Sequence, residues 1–312
     1  MRKERTALTL VILLPLIVLF GYFKAQLLTS KQDEEFAKTR FWMLKARRTD
    51  TFDVILLGDS RVTQGLSPAA MQTMLNDLNI FNLGFASGGL DSEIYALAEQ
   101  RLSPTSAQPI IVIGITPYDL TPVAAGNTQY HGYQGKSAFE RFFTLHLTPY
   151  LVIFSPIPLE TLLEYLQFFP PTNNQVLIQE YYDDGWLASQ YSKDDHSSAL
   201  AAYNIIFENN LVSEELVQEL ITQTKQWTQA GILVFGFRFP STEGIEIIED
   251  ESSDFDEAAL KVKFVNAGGI WLDFPSDAYR SYDGSHLHKA GALEFSVDLA
   301  EIIKAYLTDS DE

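Results

Sequence analysis

Phe52-Asp53-Val54-Ile55-Leu56-Leu57-Gly58-Asp59-Ser60 decides the fold. Val54–Leu57 is a continuous apolar run stopped by glycine, the pattern of a short strand buried on both faces of a parallel sheet. Four more segments read the same way: NIFNLG (79–84), PIIVIGI (109–115), GILVFGF (231–237) and GGIWLDF (268–274). Between them lie stretches with helical spacing. SPAAMQTMLNDL (67–78) follows a serine cap, DSEIYALAEQRL (91–102) an aspartate cap, and SEELVQELITQTKQWTQA (213–230) another serine. An acidic loop runs into a helix over 241–267, and KAGALEFSVDLAEIIKAYL (289–307) closes the chain before a frayed TDSDE tail. Strands alternating with helices predict a doubly wound α/β fold with a mainly parallel five-stranded sheet.

The rhythm breaks over about 121–211. That stretch is rich in aromatics, among them Tyr130, Tyr133, Phe142, Phe143, Tyr181, Tyr182 and Trp186, and in prolines. It predicts a helical, aromatic-rich insertion of helices and loops laid over the sheet. Its rings suit sugar or acyl-chain binding, or plain core packing. Leu147–Phe169 is apolar but broken by prolines, which suits a membrane-facing lid better than a second span.

The chain has 312 residues, 46% of them hydrophobic, and no cysteine, so disulfides and cysteine-ligated metal sites are excluded. Its net charge of −19 is uneven: residues 1–48 hold ten basic against four acidic side chains, and the remainder twelve against thirty-seven. A body that acidic repels phosphate backbones, so nucleic acid is not an expected partner. Ala7–Phe23 is an uncharged run of 17 residues behind Arg2, Lys3 and Arg5. It predicts an N-terminal transmembrane helix (anchor 1–24) followed by a juxtamembrane stalk (25–50) and one domain (51–312). A cleaved signal peptide is the rival reading, but no small-x-small site follows the run. A short basic tail before a large domain points to a single-pass membrane protein with its body on the extracytoplasmic side, although Lys24, Lys31, Lys38 and Arg40 leave the charge rule undecided.

The chemistry starts at Ser60. A serine at the exit of a buried strand lies at the sheet edge where α/β folds place reactive groups, and it needs a base. Asp283-Gly284-Ser285-His286 follows the last strand and precedes the last helix. His286 is the candidate base, with His288 its competitor. Asp283 favours His286, since a three-residue step in a turn can bring a carboxylate to the second ring nitrogen. Gly84, Gly88 and Gly89, after the second strand, let backbone N–H groups approach a substrate. Glu249–Glu257 (EDESSDFDE) lacks calcium-loop spacing and reads as a solvated loop. His131, His146 and His196 show no metal spacing, no glycine-rich phosphate loop is present, and no cofactor is implied.

These blocks, VILLGDSRV, NLGFASGG and Asp283-x-x-His286, resemble the SGNH/GDSL hydrolase superfamily over roughly residues 50–120 and 212–307. The resemblance implies an SGNH or flavodoxin-like sheet, Ser60 as nucleophile and oxyanion donor, His286 as base, Asp283 as its partner and Gly88 as a second oxyanion donor. It implies a serine esterase or O-acyltransferase. The third block departs from the family's Gly-x-Asn-Asp: the strand exits as GITPYDL, with Tyr118 before Asp119. Thr116 or Tyr118 would have to replace the asparagine amide, whose loss costs about 3 kcal/mol of transition-state stabilisation. The anchor and the altered block are similar to those of extracytoplasmic bacterial envelope proteins acting on acyl esters of polysaccharide. The alternative is an inactive module that binds glycan or assembles with an envelope complex.

Overall fold

The computed structural model describes residues 35–126, 129–148 and 177–310. The anchor at 1–24, the start of the stalk and most of Leu147–Phe169 lie outside them. Two compact units divide the chain: residues 1–43 with 136–174, and residues 44–135 with 175–312. In the first, residues 35–43 are helical, and a second helix begins at Ala138 under a reciprocal cap in which Ser137 and Glu140 bond each other's backbone N–H. Among the described residues no helix is long and apolar enough to cross a membrane.

The second unit holds the sheet. Its strands are β1 (Val54–Leu57), β2 (Ile80–Asn82), β3 (Ile110–Ile115), β6 (Leu233–Arg238) and β7 (Ile270–Trp271), in the order β2-β1-β3-β6-β7 and all parallel. Val54 lies opposite both Ile80 and Ile110, and Ile110 opposite Leu233. The five expected apolar runs are these five strands. β1–β3 are fully buried, which is why they carry no alternation of polar residues. From β1 the chain steps outward to β2 and then returns to β3 on the other side. The exits of β1 and β3 therefore flank the switch point, where open α/β sheets form their ligand crevice.

The helices depart from expectation in instructive ways. α1 (Ser60–Gly65) starts directly at the β1 exit. The serine-capped segment expected over 67–78 is helical only over Pro68–Met71, and the chain then turns, with the Thr73 hydroxyl donating to the Ala70 carbonyl at 2.7 Å. α2 (Ser92–Arg101) keeps its Asp91 cap, through Ile94 N at 2.9 Å. In the inserted stretch, β4 (Leu177–Tyr181) and β5 (Leu187–Tyr191) form an antiparallel hairpin where only helices and loops were expected. Its turn docks on the β2 exit: Asn82 N–H donates to Asp184 O at 2.9 Å, and a Cβ on Gly185 would lie 2.1 Å from Asn82 O. α3 (His196–Ile206) and α4 (Glu214–Gln229) follow. The expected acidic loop is two helices, α5 (Glu243–Ser253) and α6 (Glu257–Asn266), broken at Asp254 in the left-handed region at φ 58°. α7 (Lys289–Ser310) runs further than a frayed tail would allow. Phe295 of α7 inserts among Phe237, Phe239 and Phe274 with ring centroids 4.9–5.5 Å away. Burying one such ring contributes about 2 kcal/mol, and the cluster fixes the helix that the Asp283–His286 loop leads into.

Candidate active site

Ser60 owes its position to the residues before it. Gly58 adopts φ +147°, and a Cβ there would lie 2.4 Å from Val62 Cγ2 and 2.5 Å from Gly114 O. Only glycine fits this turn between two strands and a helix. Asp59 caps α1, accepting from Arg61 N at 2.7 Å. Ser60 is the first helical residue, so its N–H has no partner within the helix. Its Oγ lies 2.8 Å from His286 Nε2.

His286 sits in a loop closed by Tyr282 N→His286 O at 3.0 Å and His288 N→Arg280 O at 2.9 Å. Asp283 Oδ1 accepts from the backbone N–H groups of Ser285 (2.9 Å) and His286 (2.7 Å), and Oδ2 faces His286 Nδ1 at 2.8 Å. Burial pushes the Asp283 carboxyl up. The charge of His286 and these hydrogen bonds outweigh it and hold the carboxyl well below the usual range. Ser285 Oγ also lies 2.8 Å from Nδ1 and donates to Asp283 Oδ1 at 3.1 Å. With that proton spent on Asp283, the bonding is satisfied by a proton on Nδ1 pointing at Oδ2, which leaves Nε2 as the acceptor facing Ser60. Tyr282 stacks on the His286 ring at 8° and 5.8 Å, and its hydroxyl donates to Gln64 Oε1 at 2.7 Å. His288, the sequence competitor, is engaged elsewhere, with Nε2 2.6 Å from Asp194 Oδ1.

Several contributors had no signal in the sequence. Arg61 is fully buried beside the serine and pairs with Glu249 of α5, whose Oε2 meets Arg238 Nη2 at 3.1 Å. Glu249 belongs to the stretch read as a solvated loop, yet it is fully buried. Acidic composition alone cannot show that one of its carboxylates has two arginines as partners. Tyr203, on α3 of the insertion, accepts from Arg61 Nη2 at 3.1 Å and contacts the Ser285 hydroxyl. Burial, opposed by Arg61, pushes its phenol up to about 12.

The exits of β2 and β3 flank the turn that follows β1. Phe85 N–H donates to Gly58 O at 3.0 Å, laying the glycine block against the nucleophile turn. Gly89 N→Ala124 O (3.0 Å) and Leu90 N→Asp119 O (3.2 Å) tie its far end to the β3 exit. Gly88 between them is buried, and among the described residues its N–H makes no backbone hydrogen bond. Thr116 is also buried, and its hydroxyl donates to Asp59 Oδ2 at 3.0 Å. Tyr118 is half-buried, its phenol raised by burial and then by Asp59 and Asp119. Asp119 is fully buried and accepts from Thr116 N at 3.1 Å. Burial first, and Asp59 second, push its carboxyl well up. The structure thus brings Ser60, His286 and Asp283 into one hydrogen-bonded line and puts the Thr116 hydroxyl on Asp59. Among the described residues no group of His, Asp and Glu side chains is arranged to hold a metal ion.

No family model and no curated protein matches the chain. Among solved structures it is similar to a protein from Desulfitobacterium hafniense DCB-2 whose description assigns it to a lipolytic G-D-S-L family. The identity is 10% and the TM-score 0.38, over 80% of this chain and 98% of that one. At that score the superposition transfers no residue role, and the resemblance to SGNH/GDSL hydrolases is carried by the sequence blocks and the sheet they sit on.

Proposed function

We propose that the chain is a serine esterase or O-acyltransferase working through Ser60, His286 and Asp283. The observation that carries this is the line of two 2.8 Å contacts from Ser60 Oγ through the imidazole to Asp283. His286 Nε2 takes the serine proton as Oγ attacks an ester carbonyl, and Asp283 stabilises the imidazolium. The Ser60 and Gly88 N–H groups are the donors for the developing oxyanion, with the Tyr118 hydroxyl as candidate third donor. On collapse, the departing alcohol takes the proton from Nε2 and leaves an acyl-Ser60 ester. Water then completes hydrolysis, or a sugar hydroxyl completes transfer. The uncharged N-terminal run behind its basic flank supports a protein tethered to the membrane by its first residues. Its body would face the envelope, where O-acylated polysaccharide is the substrate class.

The test is labelling of the full-length protein with a fluorophosphonate. Label on Ser60, lost in Ser60→Ala, is expected; an unlabelled wild type removes the catalytic reading. One observation favours a non-catalytic glycan-binding or assembly module instead. The β3 exit supplies no asparagine, and the Thr116 hydroxyl at that exit is spent on Asp59. That module would retain the triad geometry yet show no turnover. Protease added to intact spheroplasts tests topology: the body is cleaved if it faces outward, and protection until lysis places it in the cytoplasm.

A further inference from the structure

Beside the triad lies a groove of about 190 Å³ in which three chemistries converge. Tyr191 at the end of β5 offers a half-buried ring, tilted against Tyr282 with centroids 4.7 Å apart. Lys193 and Asp195 follow it on the same wall. Lys193 has no ion-pair or hydrogen-bond partner among the described residues. Asp195 accepts from the Ser197 hydroxyl at 2.9 Å. Ala199 and Ala202 of α3 form a wall without bulk. Tyr282 and Asp283 also line it, and Tyr282 is the residue stacked on the His286 ring.

We infer that this groove is a subsite for one uncharged sugar ring of the acylated substrate. The inference rests on the esterase reading and deepens it. An anionic unit would meet Lys193 but also Asp195 and Asp283; a cationic unit would meet the reverse conflict. A neutral polyol uses all three. Its hydroxyls donate to the Asp195 carboxylate and accept from the Lys193 ammonium, and its C–H face packs on Tyr191. The alanine wall leaves room for a ring, and the volume suits a single unit rather than a large ligand. The groove adjoins the base loop, so an acyl group on the bound ring or its neighbour lies within reach of the crevice.

The full-length protein separates this from the triad hypothesis. The probes are peracetylated methyl glucoside (neutral ring), O-acetylated glucuronic acid (anionic ring) and p-nitrophenyl acetate (no ring). Ala202→Trp fills the groove at an exposed helical position. It is expected to lower kcat/KM for the acetylated glucoside at least tenfold more than for p-nitrophenyl acetate. Tyr191→Ala and Lys193→Ala do the same more weakly, without adding bulk. Equal losses on the two probes overturn the subsite. A wild-type preference for the glucuronate that Lys193→Ala removes overturns the neutral ring and assigns the groove to an anion. Should no probe be hydrolysed, the esterase reading fails and the groove is read by calorimetry on Ser60→Ala. Saturable binding of the acetylated glucoside, lost with added Ala202→Trp, supports the subsite; no saturable binding at millimolar ligand overturns it.

Discussion

The exits of β1 and β3 lie side by side and each carries a hydroxyl, but they use it differently. Among the described residues, Ser60 Oγ has a single hydrogen-bond partner, the His286 ring. Thr116, on the neighbouring strand, is buried and donates to Asp59, the residue that caps the serine helix. One exit presents a reactive atom and the other braces the turn that presents it. The anchoring differs in kind as well. The β1 exit is held by glycine sterics and a buried Arg61–Glu249 pair, the β3 exit by hydrogen bonds around the buried Asp119 carboxyl. The β3 exit can therefore lack an asparagine while the Ser60–His286 contact is kept.

The strongest way to break this comparison is to remove the presented atom or its base. Ser60→Ala and His286→Ala are each expected to lower ester hydrolysis by about 10³-fold or more, and the double variant by no more than either, because the two act as a unit. Additive losses in p-nitrophenyl acetate assays would mean that they do not. Next comes the anchoring of the β1 exit. Glu249→Ala leaves Arg61 and Arg238 short of a buried partner and should cost about 3–5 kcal/mol in denaturant unfolding. An unchanged midpoint would show that the pair does not hold the turn.

The β3 exit should respond less. Thr116→Val removes a hydrogen bond to Asp59 and is expected to cost about 1–2 kcal/mol of stability, with turnover falling less than about tenfold. A loss of about 10²-fold with an unchanged melting temperature would instead mark Thr116 as an oxyanion donor that turns to substrate. The smallest effect is at Asp119. Its folded carboxyl titrates above the unfolded one, so wild-type stability is lost as pH rises from near 4 through the folded value. Asp119→Asn lacks that loss. It should melt roughly a few degrees higher at neutral pH, with the advantage shrinking as pH falls towards 4. A constant difference across pH would mean that Asp119 is already ionised when folded.

The sequence made the sheet and triad legible for a local reason. Buried parallel strands are written as continuous apolar runs such as PIIVIGI, and Ser60, Asp283 and His286 sit in short blocks at strand exits. What stayed hidden was nonlocal. Nothing near Tyr203 shows that its hydroxyl meets Arg61, 142 residues away. Nothing near Glu249 distinguishes it from the exposed acids around it. The hairpin escaped notice because β4 alternates only partly buried and exposed residues and follows no apolar run. The direction of the Thr116 hydroxyl was hidden too, because it depends on Asp59, a partner on another strand exit.

The contact between Ser60 and His286 spans 226 residues of chain. At roughly 5–20 residues per second of synthesis, the serine is made some 10–45 s before its base. Until α7 docks its Phe295 into the aromatic cluster, the serine has no imidazole beside it. The order of synthesis thus acts as a timer: the nascent chain carries the serine before its histidine exists, and the contact between them can form only at the end of manufacture.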